Sequence, residues 1–161
     1  MSLPVKIVSG GQTGVDRGAL DAALDSGCSC GGWCPAGRAA EDGPIPQRYP
    51  LQSTSEPDPS VRTRRNVEDS DGTLILCVAE PTGGTALTAA ICRQLGRPCL
   101  IIDAGILSAE NAAAQARRFL TRHGVRVLNV AGPRESGWPG GHEYARKVVR
   151  ALLRATSGGS A

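Results

Sequence analysis

The chain has 161 residues and a formal net charge of +3, with 21 glycines and only 3% aromatic residues. That length fits one domain, expected over residues 1–156 with a disordered tail at 157–161, and the composition implies a core of Ala, Val, Ile and Leu on many tight turns. The small charge, with no basic tail or aromatic ladder, argues against a nucleic-acid partner; without a charged-then-apolar leader or an apolar run near the roughly 20 residues of a membrane span, the chain reads as soluble and cytoplasmic.

A short apolar run at residues 5–8 breaks into Ser9, Gly10, Gly11, Gln12, Thr13 and Gly14, and a helical pattern resumes through Ala19, Leu20, Ala23 and Leu24. This predicts a strand, a loop and a helix, because glycines so close together permit positive φ and close backbone approach to a bound group. Amides delivered to one point at the positive end of a helix form an anion site, with about 0.3–2 kcal/mol from the dipole alone. The spacing is neither the dinucleotide fingerprint nor the Walker pattern, so the loop taken alone serves equally as a tight turn. Asp16, at the helix start, suits the dipole.

Gly27 caps that helix and residues 28–33 predict a second strand. Residues 35–59 carry six of the 11 prolines, an irregular stretch of a length that is functional or disordered in compact domains. Trp33, Arg38, Glu41, Asp42 and Tyr49 give it groups that could close over a ligand, although solvated loop charges are the plainer reading of Glu41 and Asp42. Ser60 is expected to cap a helix running to about residue 69, on which Arg62 and Asn66, four residues apart, share a face. Turned towards the glycine loop, Arg62 would supply a planar donor fork for phosphate, and Asn66 a donor and an acceptor.

Residues 73–78 predict a strand covered on both faces, hence a parallel sheet. Thr82, Gly83, Gly84 and Thr85 repeat the opening device before a helix with Leu87, Ile91 and Leu95 inward and Gly96 as its stop. Strands at 98–103 and 125–130 flank a helix capped by Ser108, with Ala112, Ala116, Phe119 and Leu120 inward. A third loop, residues 132–136, precedes a last helix with Tyr144, Val148 and Leu152 inward. The fold class is therefore α/β, with a mostly parallel sheet of at least five strands, helices on both faces, and glycine loops parting over a crevice at the carboxyl ends of the strands. Cys77, Cys92 and Cys99 read as small core residues; Cys28, Cys30 and Cys34 lack zinc-site spacing, so no metal site is expected.

The run Ser9-Gly10-Gly11-Gln12-Thr13-Gly14-Val15-Asp16-Arg17, the blocks Gly32-Trp33-Cys34-Pro35, Gly37-Arg38 and Ala40-Glu41-Asp42-Gly43, and then Asn66, Asp69-Ser70-Asp71 and Gly83-Gly84-Thr85 resemble the molybdenum cofactor carrier family, over most of the chain to about residue 95. The resemblance implies a Rossmann-like three-layer sandwich, a homo-oligomer, and a protein that holds molybdenum cofactor, a pterin with a terminal phosphate, without transforming it. That family is similar in turn to the lysine-decarboxylase-like phosphoribohydrolases, which release bases from nucleoside monophosphates. Their arginine would fall at Arg62 and their glycine loop at residues 82–85, but in place of their catalytic glutamate this chain has Thr88 and Ala89.

The expectation is a non-catalytic binding protein for a phosphorylated small molecule, molybdenum cofactor or otherwise a nucleotide. Gly10, Gly11, Gln12, Thr13, Gly14, Gly83, Gly84 and Thr85 would cradle the phosphate, Arg38 and Arg62 would neutralise it, and Asp16 and Asn66 would complete the site. The alternatives are a nucleotide phosphoribohydrolase-like enzyme with Asp16, Glu41 or Asp42 as acid or base, and a nucleotide sensor whose proline-rich segment alters a partner surface.

Overall fold

Strand β3 (Gly72–Cys77) is buried at every position, as an unbroken apolar run requires of a strand covered on both faces. Around it the computed structural model, which describes residues 4–159, arranges β1 (Lys6–Val8), α1 (Val15–Asp25), β2 (Ser29–Gly31), α2 (Pro59–Glu68), α3 (Gly83–Leu95), β4 (Cys99–Asp103), α4 (Ala109–His123), β5 (Val127–Ala131) and α5 (Gly141–Gly159). The sheet runs β2-β1-β5-β3-β4 and every neighbouring pair is parallel. The expected tail at 157–161 falls partly on the end of α5 and partly, at 160–161, outside the described residues.

Alternation along β3 separates the two helical layers. Leu74 and Leu76 pack with residues of α1, α4 and α5 in the large core, whereas Ile75 and Cys77 pack with Ala89 of α3. Val67 of α2 joins Ile91 and Cys92 of α3 on that second face. The three-layer sandwich follows from these contacts.

The last strand of the sequence takes the central place in the sheet. Moving β5 and α5 ahead of β1 would give the order 3-2-1-4-5, that of the doubly wound sheets whose ligand crevice opens where neighbouring strands send their helices to opposite faces. Here β5 leads into α5 on one face and β3 into α3 on the other, so the switch point lies between β5 and β3. α1 can approach α5 closely because Gly18 has no side chain: a Cβ there would sit 2.2 Å from the His142 carbonyl oxygen.

Three local expectations are corrected. Asp58 caps α2, accepting from the Ser60 amide at 3.0 Å, with Pro59 in the first turn, where its missing N–H costs nothing. Leu87 is 38% exposed, and the buried residues of α3 are Thr85, Thr88, Ala89, Ile91 and Cys92. The run at 28–33 is not one strand: Gly32, at φ +129°, turns the chain, and Trp33–Cys34 pairs with Gln52–Ser53 instead of joining the main sheet.

The proline-rich segment is built around a small core of its own. Ile45, Tyr49 and Leu51 pack with Cys34 and with Leu20 of α1. The Tyr49 hydroxyl donates to Asp21 of α1 at 2.7 Å, and burial with that bond pushes its pKa up to about 12. The segment is thus fastened to α1 by apolar packing and by hydrogen bonds.

Candidate functional site

Loops leaving the carboxyl ends of β1, β5 and β3 enclose a cavity of about 350 Å³, closed on its fourth side by the first turns of α2. Gly10, Gln12, Asp16, Arg62, Asn66, Gly83, Gly84 and Thr85 line it, so both glycine loops and the α2 pair meet there. The other four predicted residues stand back. Gly11 faces Ile45 and Leu51, and Gly14, at φ +81°, packs against the backbone of Pro133, Arg134 and Glu135. The Thr13 hydroxyl donates to Glu41 and accepts from the Glu135 amide at 3.1 Å. Arg38 cannot neutralise a ligand in this cavity, because its guanidinium donates to the carbonyls of Ile45, Leu51, Pro46 and Tyr49 at 2.8–3.1 Å and holds the proline-rich segment closed.

Nor do the other groups of that segment reach the cavity. Glu41 is fixed on the Ser136 and Thr13 hydroxyls, which hold its carboxyl below the usual range. Asp42 forms a two-pronged pair with Arg17. The indole N–H of Trp33 donates to Asp69 at 2.7 Å, with Arg65 stacked over the ring. Glu41 and Asp42 are exposed, as the reading of solvated loop charges expects, but each is also tied by hydrogen bonds to distant elements and so anchors the segment.

The two glycine loops present opposite chemistry. In the first, the Gln12 amide donates to the Asp16 carboxylate at 3.3 Å and the Thr13 amide to the Gln12 side-chain oxygen at 3.0 Å, so these donors are taken from within. Asp16 is 7% exposed, and burial pushes its pKa from 3.8 up to about 6, against the pull of Arg62 and of hydrogen bonds from Gln12, Ser9 and Gly10. Arg62 Nη1 donates to the Gly10 carbonyl at 2.9 Å, a contact open only because residue 10 has no side chain: a Cβ there would meet that Nη1 at 2.7 Å and Asp16 Oδ2 at 2.9 Å.

The second loop is bare. Thr82 makes no side-chain cap, and a Cβ on Gly83 or Gly84 would meet nothing within 4 Å. The positive end of α3 therefore faces the cavity with the amides of Gly83 and Gly84 unpartnered among the described residues, while that of Thr85 donates to the Thr82 carbonyl at 3.1 Å. Asn66 holds the Trp33 backbone, donating to its carbonyl at 3.0 Å and accepting from its amide at 2.8 Å, and so shapes the wall. Arg134, Asn129 and Thr88 also line the cavity and were not among the predicted residues. A polar Asn129 within the apolar run of the last strand was the one signal that could have found it; Arg134 lay in the third loop already placed at this end of the sheet. Among the described residues no group of three or more His, Cys, Asp or Glu is placed to hold a metal ion.

A parallel sheet with its final strand at the centre and a polar cavity at the switch point defines a permuted Rossmann-like α/β protein. The chain belongs to the circularly permutated YpsA SLOG family, whose model matches residues 7–153. It is similar to a solved structure, that of a candidate molybdenum carrier protein from Syntrophus aciditrophicus SB, at 43% identity and a TM-score of 0.91 over 93% of this chain and 95% of that one. A comparison with curated proteins finds no match. Among the described residues no helix is long and apolar enough to cross a membrane.

Proposed function

We propose that the chain is a carrier that holds a phosphorylated heterocycle, molybdenum cofactor foremost, in the switch-point cavity without transforming it. One observation carries the reading: the bare amino end of α3 and the guanidinium of Arg62 border a single cavity of about 350 Å³, a volume suited to a small ligand. The phosphate sits on the Gly83 and Gly84 amides, Arg62 supplies charge, and the ring occupies the remaining space towards β5 and α1. The similarity to the Syntrophus protein, a candidate molybdenum carrier, supports this assignment. A homo-oligomer belongs to the same reading, and light scattering of the purified chain tests it.

Equilibrium binding of molybdenum cofactor and of nucleoside monophosphates to the native chain and to Arg62→Ala tests the reading. Micromolar or tighter binding that weakens at least about tenfold in the variant supports it. No measurable affinity for any of these ligands ends it.

A second reading has one observation in its favour, a buried carboxyl on the cavity wall with its pKa pushed up to about 6, as an acid or base would need. Asp16 would then assist hydrolysis of a nucleoside monophosphate. Free base released by the native chain and not by Asp16→Asn would establish turnover; the carrier reading expects none.

A further inference from the structure

The cavity is bipolar. Its α3 end offers amides and a helix dipole, while its α1 end offers the carboxylate of Asp16, which is 7% exposed. Arg62 stands near enough for its charge to act on that carboxylate but makes no hydrogen bond to it, since its Nη1 is held by the Gly10 carbonyl at 2.9 Å and its Nε by the Thr63 hydroxyl at 3.2 Å. The Gln12 amide reaches Oδ2 only at 3.3 Å. The help the carboxylate draws from Gln12, Ser9, Gly10 and the Arg62 charge does not offset its burial, so the charged form is costly to keep and donors from a ligand would relieve it. Beside it, the side-chain oxygen of Gln12 accepts from the amides of Thr13 at 3.0 Å and Glu41 at 2.9 Å. Those two bonds fix the orientation of the amide and leave its NH₂ group, on a cavity-lining residue, as a donor without a partner among the described residues.

We propose that Asp16 selects the heterocycle by accepting two adjacent N–H groups from it, so that the ligand is a phosphorylated 2-amino-4-oxopyrimidine ring system, the edge common to pterins and guanine. This rests on the carrier reading and specifies its ring. An ionised carboxylate only accepts, and its two oxygens match two parallel N–H donors. In the 2-amino-4-oxo edge the ring N–H and the amino group point the same way, and the neighbouring carbonyl calls for a donor, which the Gln12 amide provides. An adenine edge would turn a ring-nitrogen lone pair towards the carboxylate, and a 2,4-dioxo edge a carbonyl oxygen. Leaving a buried polar group unmatched in this way is how a site rejects close analogues.

Titration calorimetry on the native chain with two matched pairs, GMP against AMP and 6-hydroxymethylpterin phosphate against its 2,4-dioxo counterpart, tests the assignment. The 2-amino-4-oxo member of whichever pair binds is expected to bind about 100-fold more tightly. Asp16→Asn brings that ratio down to a few-fold, whereas Arg62→Ala weakens both members alike; the tighter of GMP and the pterin identifies the source of the edge. Equal affinities within each pair, still dependent on Arg62, would overturn the role of Asp16 and leave the phosphate site standing. A full ratio retained in Asp16→Asn would overturn it too, as would no binding of any of the four probes to a chain that binds molybdenum cofactor; no binding of these probes or of molybdenum cofactor would remove the carrier reading as well.

Discussion

Arg17 of α1 and Asp42 of the proline-rich segment meet in a two-pronged pair, Nη1 to Oδ2 at 2.6 Å and Nη2 to Oδ1 at 2.8 Å, while Arg17 Nε donates to the Gly11 carbonyl at 2.9 Å. One guanidinium thereby ties helix, glycine loop and segment together. The Arg17 side chain is 10% exposed and that of Asp42 51%, so loss of the carboxylate strands a nearly buried cation, although water still reaches the partner side. Asp42→Ala is expected to cost about 1–3 kcal/mol, a melting temperature lower by about 3–10 °C. A double-mutant cycle with Arg17→Ala measures the coupling, and a value near zero would show the pair to be idle. The hydrogen bonds from Arg17 hold the Asp42 carboxyl below its usual range, so this contribution is present above the unfolded-state value and fades as pH falls through the folded one.

Asp16 has the opposite sign. Its folded pKa, about 6, stands above the ordinary 3.8, so the folded chain keeps the proton to higher pH than the unfolded chain does. Stability from this group is complete below the unfolded value and is lost as pH rises through the folded one. Near neutral pH the charged carboxylate costs the fold up to about 3 kcal/mol. Asp16→Asn is therefore expected to be more stable than the native chain at roughly pH 8 and nearly equal to it at roughly pH 4, read from urea unfolding at both. A variant less stable at the higher pH would show that Asp16 is held for the fold. The expected gain is that of a group kept for binding at a cost in stability.

The layers and the site end of the sheet were legible because apolar run length and paired glycines are local signals, as β3 and the Thr82–Thr85 turn show. The cap of α2 was expected at Ser60 instead of Asp58, although Pro59 in the first turn is a local signal that points to the residue before it. The role of Arg38 was not: its four carbonyl partners lie 7 to 13 residues away and come together only when the segment closes on its own core. The exposure of Glu41 and Asp42 was legible but their bonds were not, because their partners, Thr13, Ser136 and Arg17, belong to elements 25 to 95 residues distant. Asp16 read as a dipole partner because nothing local to it reports that the cavity wall buries it. The central placing of the last strand is likewise a long-range fact.

Gly84 separates folding from binding. It lies in the first turn of α3, no positive φ is required of it, and a Cβ there would meet nothing within 4 Å. Alanine should raise stability by about 0.5–1 kcal/mol through helix propensity. The same methyl group would stand on the cavity wall over the amides assigned to phosphate. A higher melting temperature with at least about tenfold weaker binding of a phosphorylated probe is expected. Improved stability with unchanged affinity would move the phosphate away from α3.

Gly18 reports on the cavity from a distance. A Cβ there would lie 2.2 Å from the His142 carbonyl oxygen and 3.1 Å from the Ala145 Cβ, and a backbone carbonyl in a helix cannot swing aside as a side chain can. α5 would have to move outward. Its first turn is held by Glu135, which accepts from the amides of Gly140 at 2.8 Å and His142 at 3.0 Å, and by the His142 ring against Asp21 at 2.8 Å. Glu135 follows Pro133 and Arg134, both on the cavity wall, so a shift of α5 passes into the site. Gly18→Ala is expected to cost about 1–3 kcal/mol by overpacking and to weaken ligand binding although residue 18 does not line the cavity. Thermal unfolding and titration with the same phosphorylated probe check both halves, and an unchanged melting temperature would mean that the α1–α5 contact is looser than the structure has it.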